Sequence, residues 1–134
     1  MKRIFCVLIC GLIAGCVTPA ERTPLRMLPE DSPPLPYAEL LTRARAQATA
    51  AIDASYVNNW SELEDAARGL EQTAKFLPKA VELPAKQKDT VPVIAGDLGK
   101  EAATLREAAR AKDQEKTDAS LLRVQQTVRK LKID

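Results

Sequence analysis

The chain has 134 residues, with 46% hydrophobic but only 4% aromatic side chains, 20 basic and 18 acidic groups, and no histidine. The lack of histidine removes the commonest general base at neutral pH and the commonest metal ligand. A nearly balanced charge gives no electrostatic reason to bind nucleic acid, and the length suits one domain.

The N-terminus is the most specific part. Lys2 and Arg3 precede an apolar run from Ile4 to Ala14, which has the charge and length of a signal peptide. It falls short of the roughly 20 apolar residues that span a bilayer, and Pro19, Glu21 and Arg22 follow at once. Leu12-Ile13-Ala14-Gly15-Cys16 closes the segment. This stretch resembles a bacterial lipobox, with Ile13 in the place usually held by leucine. The resemblance implies that residues 1–15 are cleaved and that Cys16 becomes the lipid attachment site, with fatty acyl chains such as palmitate on its thiol and on the new N-terminus. Cleavage takes away Lys2 and Arg3 and no acid, so the mature chain has 18 basic and 18 acidic groups. Cys6 and Cys10 leave with the signal, so no disulfide is available. Val17 follows the cysteine where lipoproteins retained in the inner membrane tend to carry aspartate. The same resemblance therefore points to the outer membrane, facing the periplasm.

Residues 16–36 read as a lipid-anchored, proline-rich tether, with six of the nine prolines between residues 17 and 36. Proline fixes φ and removes a donor, so an extended spacer of up to roughly 60 Å is expected.

From Tyr37 the composition turns to strong helix formers, and residues 37–134 read as an all-α domain of four helices. The first runs from about Tyr37 to Val57, with Leu41, Ala44, Ala48, Ile52 and Ser55 on one stripe. Asn59 stands three residues before Glu62, as in a capping box. The second helix, Trp60 to Leu77, carries Leu63, Ala67, Leu70 and Ala74 at heptad spacing. Glu64 with Arg68, and Glu71 with Lys75, are spaced for surface ion pairs. A linker over residues 78–90 precedes a third helix starting near Val91 with Asp89 or Thr90 as cap. Its stripe is Val91, Ile94, Leu98, Ala102, Leu105 and Ala109, and Gly96 and Gly99 offer close approach to a neighbour. Asp113 caps the fourth helix, which runs to about Lys132 with Leu121, Val124, Val128 and Leu131 inward. Short connections around residues 58 and 113 make hairpins, so the expected fold is an up-down-up-down antiparallel four-helix bundle.

Trp60-Ser61-Glu62-Leu63, Ala74-Lys75-Phe76-Leu77-Pro78 and Glu107-Ala108-Ala109-Arg110-Ala111-Lys112-Asp113 together resemble the cytochrome c-prime four-helix bundles. That family binds haem through a Cys-x-x-Cys-His motif near its C-terminus. Here the cysteine positions fall on Val128 and Leu131 and the histidine on Lys132, so the resemblance implies the fold without the haem. No cofactor, metal site or catalytic residue is expected, and the protein reads as a non-enzyme. The expected function is a protein-interaction or scaffolding module, bound to the membrane through Cys16 and partnered by an envelope protein. Its docking face would be an exposed heptad face, marked by an apolar stripe on the first or fourth helix wider than the core uses, or the linker over residues 78–90. The alternative is a carrier of a small ligand or non-covalent cofactor in the former haem pocket, which calls for a cavity beside Val128 and Leu131.

Overall fold

The computed structural model describes residues 25–133. Four helices account for most of them: α1 (Tyr37–Tyr56), α2 (Trp60–Phe76), α3 (Val91–Arg110) and α4 (Gln114–Lys130). Each packs on the next, and α4 closes back onto α1, the loosest of the four seams. No strand occurs among the described residues beyond a single bridge between Pro36 and Val81.

The two tight connections use the same local chemistry. Asn58 and Lys112 adopt positive φ, 55° and 52°. Behind Asn58, its N–H and that of Asn59 donate to Ser55 and Ala54. Behind Lys112, its N–H and that of Asp113 donate to Ala109 and Ala108. These are Schellman endings, which satisfy the last carbonyls of α1 and α3. The next residue in each case caps the following helix. Asn59 accepts from the Glu62 N–H at 3.3 Å and Asp113 from the Lys116 N–H at 3.0 Å. The expected capping box is therefore half made, because the Asn59 N–H is already committed to Ala54. Thr90 precedes α3 as expected but does not cap it, and its hydroxyl donates backwards to the Gln87 carbonyl at 3.3 Å.

The core is one cluster drawn from all four helices. Leu40, Leu41, Leu63, Leu70, Leu98, Leu105, Val124 and Leu131 are among its fully buried large members, with alanines between them. A buried leucine contributes about 1.5–3 kcal/mol and an alanine much less, so the leucines carry this core. The expected stripe of α1 is buried at Leu41, Ala44, Ala48 and Ser55 and widens to Leu40, Ala51 and Ala54, whereas Ile52 is exposed. The helix buries a wider face because it packs on α2 and α4 together.

Close approach occurs at Gly69, a glycine absent from the expected contacts. A Cβ there would lie 2.9 Å from Gln47 Nε2, whereas one at Gly96 would meet nothing within 4 Å and one at Gly99 only Ala74 at 3.6 Å. Gln47 lies across α2 because its Oε1 accepts from the buried Thr73 hydroxyl at 2.8 Å.

The linker contributes structure of its own. Val81 exchanges backbone hydrogen bonds with Leu35 and Tyr37, at 3.0 and 2.9 Å. Gln87, in a stretch that reads as poor core material, is buried and accepts from the Tyr37 hydroxyl at 3.0 Å. This end of the bundle thus ties the start of α1 to the α2–α3 connection.

Candidate functional site

Two surfaces stand out, and both lie on α1. The first is its seam with α4. Ile52 (37% exposed), Tyr56 (90%) and Val57 (67%) on α1 and its end, and Leu122 (56%) on α4, remain outside the core. Ile52, Ser55, Tyr56, Gln114, Asp118 and Leu121 line a cleft of about 480 Å³ between the helices. Across it Gln114 Nε2 donates to Ser55 Oγ in a long hydrogen bond of 3.4 Å, and Gln114 also donates to Asp118 at 2.8 Å. The cleft combines apolar walls with an amide and a carboxylate at its rim. That mixture can seat an apolar side chain and orient it by hydrogen bonding.

The second surface is the groove between α1 and α2, where the proline-rich stretch lies on the bundle. Gln72 grips the backbone of Leu28 on both sides: Oε1 accepts from its N–H at 2.8 Å and Nε2 donates to its carbonyl at 2.6 Å. Arg43, buried at the base of the groove, donates through Nη1 to the Arg26 carbonyl at 3.0 Å. Proline-rich backbone lacks donors of its own in part, so side chains that read the carbonyls hold it in place. Within the described part of the expected spacer, residues 26–36 thus run along the bundle as a strap. Leu25 and Met27 overhang an adjoining cleft of about 500 Å³ with Ala50, Glu62, Asp65 and Ala66.

Electrostatics follow the helix seams. Glu64 bridges Arg68 at 3.3 Å on its own helix and Arg110 at 2.7 Å on α3. The hydrogen bond from Arg110, followed by the two arginine charges, holds the Glu64 carboxyl below its ordinary range. Glu71 pairs with Arg106 across the α2–α3 seam at 3.1 Å rather than with Lys75, as the sequence spacing suggested. Glu101 and Arg123 join α3 to α4 at 2.7 Å. Burial pushes the Tyr37 phenol above 10, against the pull of the Lys132 backbone amide and the Arg45 charge.

Cys16, the signal segment and the first part of the tether lie outside the described residues. Val128 and Leu131, at the positions of the haem-binding cysteines, are buried members of the core and line neither cleft described above. No cluster of metal-ligating side chains occurs among the described residues, and no described helix is long and apolar enough to cross a membrane. Gln72, Arg43 and the seam residues were not signalled by any motif. Only the spare apolar positions of α1 and α4 hinted at the seam. Compared with models of known families, with curated proteins and with solved structures, the chain matches none.

Proposed function

We propose that this protein is a bacterial envelope lipoprotein, anchored through acylated Cys16 to the outer membrane and facing the periplasm. Its bundle acts as a non-catalytic protein-interaction or scaffolding module. The four helices are read as an up-down-up-down bundle of the cytochrome c-prime kind without haem. Glu64 and Glu71, advancing along α2, pair with Arg110 and Arg106, receding along α3, which supports that arrangement.

The observation that carries the interaction reading is the apolar stripe left over on α1 and α4. Ile52 and Tyr56 stay exposed and line, with Leu121, an open cleft at the loosest seam, and the neighbouring Leu122 is exposed on α4, while the core is complete without Ile52, Tyr56 and Leu122. Exposed apolar side chains gathered beside a cleft mark docking surfaces more often than scattered ones do. The non-catalytic reading rests on the composition: no histidine at all, and no cysteine after Cys16.

The test is a photo-crosslinked pull-down of the lipidated protein from native membranes, with the crosslinker at Ile52 or, as a control, at Val93 on α3. One dominant envelope protein captured from Ile52, and lost in Leu122→Asp and Cys16→Ser, supports a membrane-positioned adaptor. Equal capture from both positions, or none, rejects the seam as its docking face.

A further inference from the structure

The strap fixes where Leu25 sits on the bundle. Leu35 is held at the linker, Leu28 on Gln72 near the end of α2, and Arg26 on Arg43. Leu25 then reaches the cleft lined by Ala50, Glu62 and Asp65. Read towards the N-terminus, the strap therefore climbs the α1–α2 groove towards the two tight turns. Ala50 is six residues short of the end of α1 at Tyr56, about 9 Å at about 1.5 Å per residue. Cys16 precedes Leu25 by nine residues, which span at most about 30 Å fully extended. A 20-residue helix such as α1 is also about 30 Å long. If the linker end faced the bilayer, about two thirds of that reach would be spent returning along the groove. With the turn end towards the bilayer, most of it remains free.

The turn end also has the side chains for such a contact. Tyr56 is the last residue of α1 and Val57 its C-cap, and they are the two most exposed large apolar side chains among the described residues. Tyrosine suits the boundary between acyl chains and headgroups, with its ring in apolar surroundings and its hydroxyl in water. The surrounding charges are mixed: Asp53, Glu62, Asp65 and Glu115 against Arg110, Lys112 and Lys116. The contact therefore needs no anionic lipid.

We propose that the turn end, with Val57 at its tip and Tyr56 beside it at the top of the seam, rests on the bilayer that holds the Cys16 anchor. This rests on the lipoprotein reading, and it deepens it: the α1–α4 seam is then presented sideways, near the bilayer surface, to a partner at that level.

Trp60, the only tryptophan, begins α2 in the same turn and reports on the contact directly. The mature lipidated protein is reconstituted into phosphatidylcholine–phosphatidylethanolamine vesicles with bromine placed high on the acyl chains. The expected result is loss of Trp60 emission relative to unbrominated vesicles. Val57→Asp, at an exposed site that leaves the core intact, should restore the emission while the protein still floats with the vesicles. Val93→Asp, in the first turn of α3, should leave the quenching unchanged. Unquenched Trp60 in a floating protein overturns the turn-end contact and leaves the anchor standing. Quenching that persists in Val57→Asp overturns the role of the tip. Protein that does not float, and whose mass shows no acyl chains, overturns the anchor and this orientation together.

Discussion

Replacing Tyr37 by phenylalanine isolates the polar tie at the linker end. The ring is 1% exposed and its hydroxyl donates to Gln87 Oε1 at 3.0 Å, a buried bond between α1 and the α2–α3 connection. Phenylalanine keeps the packing and deletes the bond, which should cost about 1–2 kcal/mol. For a domain of this size that lowers Tm by roughly 4–16 °C. The pH dependence gives a second signature. Burial raises the folded-state pKa of Tyr37 above 10, so the folded chain keeps this proton more tightly than the unfolded chain. The contribution of Tyr37 is then complete below about pH 10 and is lost as pH climbs through the raised folded value. The variant has no such group, and the lysines and Tyr56 are common to both proteins. The stability difference should therefore be largest near neutrality and shrink above pH 10. Urea unfolding of the mature chain carrying Cys16→Ser, followed by circular dichroism between pH 7 and 11, reads both effects. A difference that stays constant over that range, or a variant as stable as the parent at pH 7, would refute the assignment of a buried, hydrogen-bonded phenol.

Gly69→Ala and Gly96→Ala should move stability in opposite directions. The first drives a methyl group to 2.9 Å from Gln47, which is held by Thr73, and should cost about 1–3 kcal/mol, recovered in part by Gln47→Ala. The second fills open space in a helix interior and should stabilise by about 0.5–1 kcal/mol, both read by urea midpoints. Lys112→Gly relieves a left-handed backbone at φ 52° and should raise the thermal midpoint, by up to about 1 kcal/mol of stability, whereas a fall would show that the lysine side chain contributes more than its strain. Ser120→Ala removes a fully buried hydroxyl that makes no hydrogen bond among the described residues, and should leave stability unchanged or raise it by about 1 kcal/mol in the same unfolding assay.

What the sequence determined by itself was local. Helix starts at Asn59 and Asp113, the stop at Pro78 and the inward positions Leu63, Leu70, Leu105 and Val124 follow from capping, proline geometry and periodicity, all of which act within a few residues. The all-α class follows from the same signals. The tertiary structure decided whatever depends on residues far apart in the chain. Ile52 lies outside the core because α1 turns its other faces to two neighbours at once, which a one-dimensional stripe does not encode. Glu71 chooses Arg106 over Lys75 because α3 brings a guanidinium within reach. Gln72, an ordinary surface glutamine in the sequence, becomes a backbone clamp only when Leu28, 44 residues away, is laid beside it. The candidate seam and the strap are both of this second kind. Their chemistry lies in polar and apolar groups that carry no motif and gain meaning only from what packs against them.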